Sequence, residues 1–257
     1  MQDLKVALVQ TNQFWEDKAA NYSHFEAHLK NVAPDTDLII LPEMFNTGFS
    51  MNVSVLAEKM DGNAINWLKE KAKKHDAAIV ASLIIEENND FFNRMVFIEP
   101  TGEVSHYDKI KLFGIAKENH YYSPGKEKKI ISYKGWKILL QVCYDLRFPE
   151  LARNKINESG KANYDLLLYV ANWPEKRNLH WKSLLQARAI ENQVYVVAVN
   201  RVGTDKNQLS YSGDSSVISP LGEIEKIVEY DEKVINTALN AKKIKETREK
   251  LPFLKDI

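Results

Sequence analysis

The chain is poor in the residues that most often announce a mechanism. It holds a single cysteine, Cys143, so no disulfide can close within it, and a cytoplasmic location is the simplest expectation. Its ten glycines never gather into a phosphate or dinucleotide loop, which leaves cofactor chemistry without support. No Gly-x-Ser-x-Gly turn occurs, which argues against a serine hydrolase of that type. Neither sign of charge is in excess: 35 basic and 35 acidic residues give a formal net charge of zero. Nucleic acid and anionic membranes are therefore poor partners, although a local basic pocket for a small anion stays open. Long apolar runs are missing as well. The strongest, Leu166 to Ala171, is far too short to span a bilayer. The N-terminus enters an alternating apolar run directly, without a leader-like pattern.

What is present is ordinary globular composition, 44% apolar and 27% charged over 257 residues. With no repeat, low-complexity stretch or linker, residues 1–257 read as one domain. Strands are expected at Leu4–Gln10, Asp37–Leu41, Ala77–Ile85, Arg94–Glu99, Glu103–Tyr107, Lys137–Val142, Asp165–Val170 and Val194–Asn200. Three more fall near 214–219, 223–229 and 232–238. Helices are expected at Asp17–Val32, Asn63–His75, Phe148–Asn157 and Leu179–Glu191, with a short one ending near 250. Residues 108–129 read as a long irregular loop. Strands and helices alternate, but hairpin-like strand pairs interrupt them. The fold class is α/β, a four-layer α-β-β-α sandwich of two mixed sheets.

Three apolar strands stop abruptly at a reactive residue: Leu38–Leu41 before Pro42-Glu43, Glu103–Tyr107 before Asp108-Lys109, and Ile138–Val142 before Cys143. A sheet end fixes position while the following loop leaves a side chain reachable. A lone cysteine is ordinarily a small buried hydrophobe. Here it precedes a turn-prone Tyr-Asp-Leu-Arg-Phe-Pro-Glu stretch, and a strand-to-helix elbow would offer helix N–H groups that favour a thiolate. Glu43, among apolar neighbours, suits a general base, or is a carboxylate tied up by a nearby lysine or by backbone amides. Lys109 by itself reads as one more solvated lysine. His120 or His180 could instead activate Cys143 as a Cys-His pair. His24 and His28 are four apart on an expected helix, a spacing that suits a metal, but no third ligand accompanies them in sequence, so no metal site is assigned.

Read together, these strand ends resemble the nitrilase superfamily of carbon–nitrogen hydrolases. Leu41-Pro42-Glu43 is similar to its glutamate motif, Asp108 to Phe113 to its lysine motif, and Cys143 to Glu150 to its nucleophile motif. Asn172-Trp173-Pro174, Ala187 to Asn192, Gly213-Asp214-Ser215 and Pro220 to Glu223 extend the match over nearly the whole chain. The resemblance implies the same four-layer sandwich and an amidase without metal or organic cofactor. It also implies a homodimer or larger homo-oligomer. It casts Cys143 as nucleophile, Glu43 as general base, and Lys109 with the Tyr144 N–H as oxyanion donors. Glu118 is the candidate for a second glutamate beside Lys109. Lys111 departs from the pattern, standing where a histidine is common.

Tyr169 to Pro174, Arg177, His180-Trp181 and Asn200 to Gly203 look most similar to the omega-amidase branch. That branch hydrolyses the terminal amide of 2-oxo acid monoamides. Such a substrate needs a cation for its carboxylate, and Arg147, Arg177 and Lys111 are candidates. Phe113, Tyr144 and Trp173 are candidate pocket walls. The alternatives are another carbon–nitrogen hydrolase, acting on nitriles, aliphatic amides or N-carbamoyl amino acids, and a non-catalytic scaffold on the same fold.

Overall fold

The computed structural model describes residues 1–256. Its first part runs β1 (Leu4–Gln10), α1 (Lys18–Leu29), β2 (Leu38–Ile40), α2 (Val53–Leu56), α3 (Asn63–His75), β3 (Ala78–Glu87), β4 (Asp90–Ile98) and β5 (Val104–Asp108). Its second part runs β6 (Lys129–Tyr133), β7 (Trp136–Val142), α4 (Pro149–Ala152), β8 (Leu166–Ala171), α5 (Asn178–Asn192), β9 (Tyr195–Asn200), β10 (Val202–Thr204) and β11 (Ser210–Ile218). It closes with β12 (Ile224–Glu229), β13 (Lys233–Leu239) and α6 (Ala241–Lys250).

Six strands form one sheet in the order β13-β1-β2-β3-β4-β5, and seven form the other around β10-β11-β9-β8-β7-β6, with β12 paired to β11. Both sheets are mixed. β1, β2 and β3 run parallel in the first, β7, β8 and β9 in the second, and the flanking pairs are antiparallel.

The residues dictate the layers. Along β1, Val6 and Leu8 point into the core between the sheets, while Ala7 and Val9 pack beneath α1 and α3. Both faces are covered, so both alternating sets are apolar. The same holds for β8, where Leu166 and Leu168 face the other sheet and Leu167 and Tyr169 face Trp181, Leu185 and Ala189 of α5. This is the expected α-β-β-α sandwich. The caps are local. Asp17 accepts from the Ala20 N–H at the start of α1, and left-handed Asp76 and Gln193 end α3 and α5.

Three local expectations change. The helix expected over Phe148–Asn157 stops at Ala152. Asn154 is wholly buried, and its amide donates to the carbonyls of Tyr164 and Asn192 while its own N–H reaches the Asn192 Oδ1. That tertiary pairing outcompetes continued helix. Strands β6 and β10 and the one-turn α2 lie where no element was expected, and each is too short for periodicity to detect. The supposed loop after β5 is also more ordered than expected. The Gly125 N–H donates to the Lys109 carbonyl, and a Cβ at 125 would sit 2.0 Å from the Asp108 carbonyl oxygen. Only glycine lets the chain return this closely to the strand end that carries Lys109.

Among the described residues no helix is long and apolar enough to cross a membrane.

Candidate active site

The carboxyl ends of β2, β7 and β8 meet where the two sheets' parallel cores face each other, and β5 ends beside them. This is the usual place for chemistry in a sheet with parallel strands. Glu43, Lys109 and Cys143 all stand at these ends, as the sequence suggested.

Glu43 is fully buried. The apolar surroundings expected for it are replaced by hydrogen-bond donors. Its Oε1 accepts from Lys109 Nζ at 3.1 Å and Asn93 Nδ2 at 2.8 Å, and its Oε2 from the Asn172 N–H at 2.7 Å. Its main chain is held too, because Gln13 and Asn172 donate side-chain amides to its carbonyl at 2.9 and 2.6 Å. Glu118, also fully buried, grips the same lysine with both oxygens, at 3.0 and 2.9 Å, and accepts from the Phe113 N–H at 2.6 Å. Burial by itself would lower the Lys109 pKa, but Glu118 and then Glu43 outweigh it, and the net direction is up. Lys109 is therefore a fixed ammonium, seen by the cavity as a permanent positive charge.

Cys143 opens a five-residue 3-10 turn, Cys143–Arg147, rather than a long helix. Its φ is +45°, a left-handed value that non-glycine residues seldom adopt. Strain of that kind costs on the order of 1–3 kcal/mol and persists only where neighbours enforce it. Asp145 is the enforcer. Its buried carboxylate accepts from the Val142 N–H at 2.9 Å, the Tyr107 hydroxyl at 2.8 Å and the Lys111 N–H at 2.9 Å. Three bonds to a charged group, each contributing roughly 1.5–3 kcal/mol, exceed the strain. They also staple the cysteine turn to the lysine loop. The thiolate favoured by the expected helix end is not what the surroundings select. Burial, then Glu43, push the Cys143 thiol well up, against the opposing pull of Lys109. These surroundings favour the thiol over the thiolate.

Burial pushes the Asp145 carboxyl up to about 6 from an ordinary 3.8, despite its donors. The folded state then binds a proton more tightly than the unfolded chain across that window, so stability falls as pH rises through it. About two units correspond to roughly 3 kcal/mol. Urea denaturation between pH 4 and pH 7 is expected to show this downward slope in the parent. Asp145→Asn should lack it, and an unchanged slope would remove Asp145 as its source.

The reactive wall opens onto a cavity of about 460 Å³. Lys109 and Cys143 line it with Phe113, Tyr144, Trp173, Arg147 and Arg177, while Glu43 and Glu118 lie behind the lysine without exposure. Phe113 and Tyr144 pack edge to face, with ring centres 5.0 Å apart. Arg147 lies over Trp173 at 4.7 Å and Arg177 over Phe113 at 5.4 Å. Neither guanidinium pairs with a carboxylate among the described residues, and burial and then the nearby Arg177 lower the Arg147 pKa. Glu16 and Asp205, on the same wall, are engaged by Ser50 and by Tyr211. The third proposed cation, Lys111, is not brought here. Its ammonium stacks on Phe148 and sits 3.7 Å from Glu150. The Cys-His alternative also lacks its geometry: His120 and His180 are exposed, and His180 meets Arg147 at 3.2 Å instead.

The carbon-nitrogen hydrolase family matches residues 5–249. The chain belongs to that family. It is 43% identical to Omega-amidase YafV of Escherichia coli (strain K12), over all of this chain and 97% of that protein. It is 34% identical to 2-oxoglutaramate amidase of Bacillus subtilis (strain 168), over 92% of this chain and 91% of that one. In structure it superposes on XC1258 from Xanthomonas campestris, described as a CN-hydrolase superfamily protein with an arsenic adduct in the active site. There the TM-score is 0.96 at 42% identity, covering 99% of this chain and 97% of the other. This carbon–nitrogen hydrolase therefore acts on amide C–N bonds.

Sequence reasoning missed the groups that hold the site together. Asn93 bridges the two glutamates, donating to Glu43 at 2.8 Å and Glu118 at 3.2 Å, while Ser82 donates to its carbonyl oxygen at 2.9 Å. The expected strand began one residue too late to include it. The strand in fact begins at Asp90, so Asn93 is a polar residue inside it, which is a signal, but a weak one. Asn172 was visible only as part of a motif, and it holds Glu43 twice, through its main-chain N–H on the carboxylate and its side-chain amide on the carbonyl, a pairing across 129 residues that no local pattern reveals.

Proposed function

We propose that this chain is an omega-amidase, converting 2-oxo acid monoamides such as 2-oxoglutaramate and 2-oxosuccinamate to the dicarboxylate and ammonia. The observation that carries the reading is the pair of guanidiniums, Arg147 and Arg177, without carboxylate partners on the cavity wall shared with Cys143 and Lys109. Two cations short of anions suit a substrate that carries a carboxylate at the end remote from its amide.

Glu43 takes the thiol proton as the Cys143 sulfur attacks the amide carbon. The oxygen gains negative charge, and Lys109 with the Tyr144 N–H, free at the first turn of its helix, stabilises it. Collapse of the tetrahedral species breaks the C–N bond. The nitrogen takes the proton from Glu43 and leaves as ammonia, with a thioester on Cys143. Glu43 then draws a proton from water, whose oxygen attacks the thioester. The acid is released and the proton returns to sulfur. Glu118 holds Lys109 in place throughout.

The test is a panel of 2-oxoglutaramate, glutamine, a neutral aliphatic amide, a nitrile and an N-carbamoyl amino acid, read by ammonia release. A clear preference for any but the first sinks the assignment. Arg147→Met and Arg177→Met should each raise KM for 2-oxoglutaramate by roughly 10- to 100-fold, the loss of one charge-assisted hydrogen bond. Turnover of the neutral amide should change little. Equal losses on both substrates would show that these arginines serve packing rather than carboxylate binding.

A further inference from the structure

Far from the cavity, the fold supplies what the histidine spacing lacked. His24 and His28, one turn apart on α1, both aim Nε2 at one oxygen of Glu232, which lies in the turn between β12 and β13. The separations to Glu232 Oε2 are 3.0 Å from His24 and 2.9 Å from His28, and the three ligand atoms all lie within 4.8 Å of one another. We propose that His24, His28 and Glu232 form a binding site for a divalent transition-metal ion of the zinc class, clamping α1 to the turn before β13.

Three features favour a metal over a simple hydrogen-bonded cluster. The donor set, two imidazoles and a carboxylate, is one that zinc-type ions take with a fourth position left for water. Ligands about 2.0 Å from a tetrahedral ion stand about 3.3 Å apart, so the two histidine–carboxylate spacings need only a few tenths of an ångström of expansion, and the histidine pair, within 4.8 Å, needs only side-chain rotation to match. The His24 Nε2 is buried and, despite its closeness to the carboxylate, lacks the geometry of a hydrogen bond. A buried ring nitrogen without a partner calls for one, and a metal supplies it.

The surrounding groups pre-set the site. The Asn12 N–H donates to the other Glu232 oxygen, Oε1, at 3.0 Å, which turns Oε2 toward the histidines. The edge-on ring of Phe14 packs 5.4 Å from His24. Outer contacts of this kind orient metal ligands.

The experiment uses the full chain with Cys143→Ala, so that the active-site thiol cannot capture the ion. Isothermal titration with zinc chloride should give one site per chain. His24→Ala, His28→Ala and Glu232→Ala should each weaken it by about 100-fold. Zinc in large excess should raise Tm by about 5 °C in the parent and by much less in each variant. Metal-free melting of each variant checks folding. Zinc-loaded crystals of the parent, which need no variant, should show an anomalous peak between the three side chains. The absence of stoichiometric binding, binding the variants leave unchanged, or zinc-loaded crystals with no peak between these three side chains would each overturn the site.

Discussion

Cys143→Ala is expected to lower amide turnover by at least about 10⁴-fold, the scale seen when a nucleophile is removed from a catalytic unit. No other side chain can take over the covalent step. The chain has one cysteine, and among the described residues the groups bonded directly to the Glu43 and Glu118 carboxylates are Lys109, Asn93 and the N–H groups of Asn172 and Phe113, none of them a nucleophile of the hydroxyl or imidazole kind. The fold should tolerate the change. Cys143 is only partly buried, and alanine keeps the Cβ that the left-handed backbone already accommodates. Stability should therefore stay within about 1 kcal/mol of the parent. The measurement is ammonia release from 2-oxoglutaramate alongside urea denaturation. Mass spectrometry supplies a direct check: rapid acid quench of the active enzyme should trap an acyl adduct on Cys143, and the alanine variant should carry none. Turnover that survives the substitution would refute the thioester route.

The reactive ends of β2 and β7 were legible in sequence because each follows an apolar run whose composition marks a strand, whereas β5 carries Ser105 and His106 and its end was marked chiefly by the motif around Lys109. The sandwich was legible for a related reason. Hairpin-like pairs between helices cannot build a purely parallel sheet, and continuous apolar runs such as Leu166–Ala171 need cover on both faces. The supporting shell was not legible. Asp145 looked like part of a turn, yet its carboxylate organises Val142, Tyr107 and Lys111 across 38 and 34 residues of sequence. Asn93 lies 50 residues from Glu43. Contacts at such separations leave no periodic trace. The cation for the substrate carboxylate could not be chosen from charge alone. The fold brings Arg147 and Arg177 to the cavity and sends Lys111 to Glu150, which is why the proposed function rests on the two arginines. Glu232 reached the histidines of α1 in the same way, through β13 pairing with β1.

The second large effect concerns Lys109, and it separates folding from catalysis. Lys109→Met should reduce turnover by roughly 10²–10³-fold, the loss of one oxyanion donor. It should also destabilise the fold by about 3–5 kcal/mol, because Glu43 and Glu118 would face each other buried and without their shared cation. The sign of the pH dependence follows from that repulsion. Two carboxylates with like charge raise the folded pKa of one of them above its unfolded value. The penalty is then full above the raised pKa and relieved as pH falls toward the unfolded value. Lys109→Met should accordingly gain stability, relative to the parent, between pH 7 and pH 5. Adding Glu118→Gln removes one of the two charges. The double variant should recover much of the lost stability at pH 7 and lose most of that acid-side gain, while turnover stays low because the oxyanion donor is still missing. Urea denaturation of the four proteins in this cycle measures the coupling, and ammonia release shows whether activity follows it. Recovery of both together would mean that Lys109 acts only as a structural counter-ion to the glutamates. Recovery of stability alone would leave its ammonium where the cavity presents it, beside Cys143 on the wall that meets the amide oxygen.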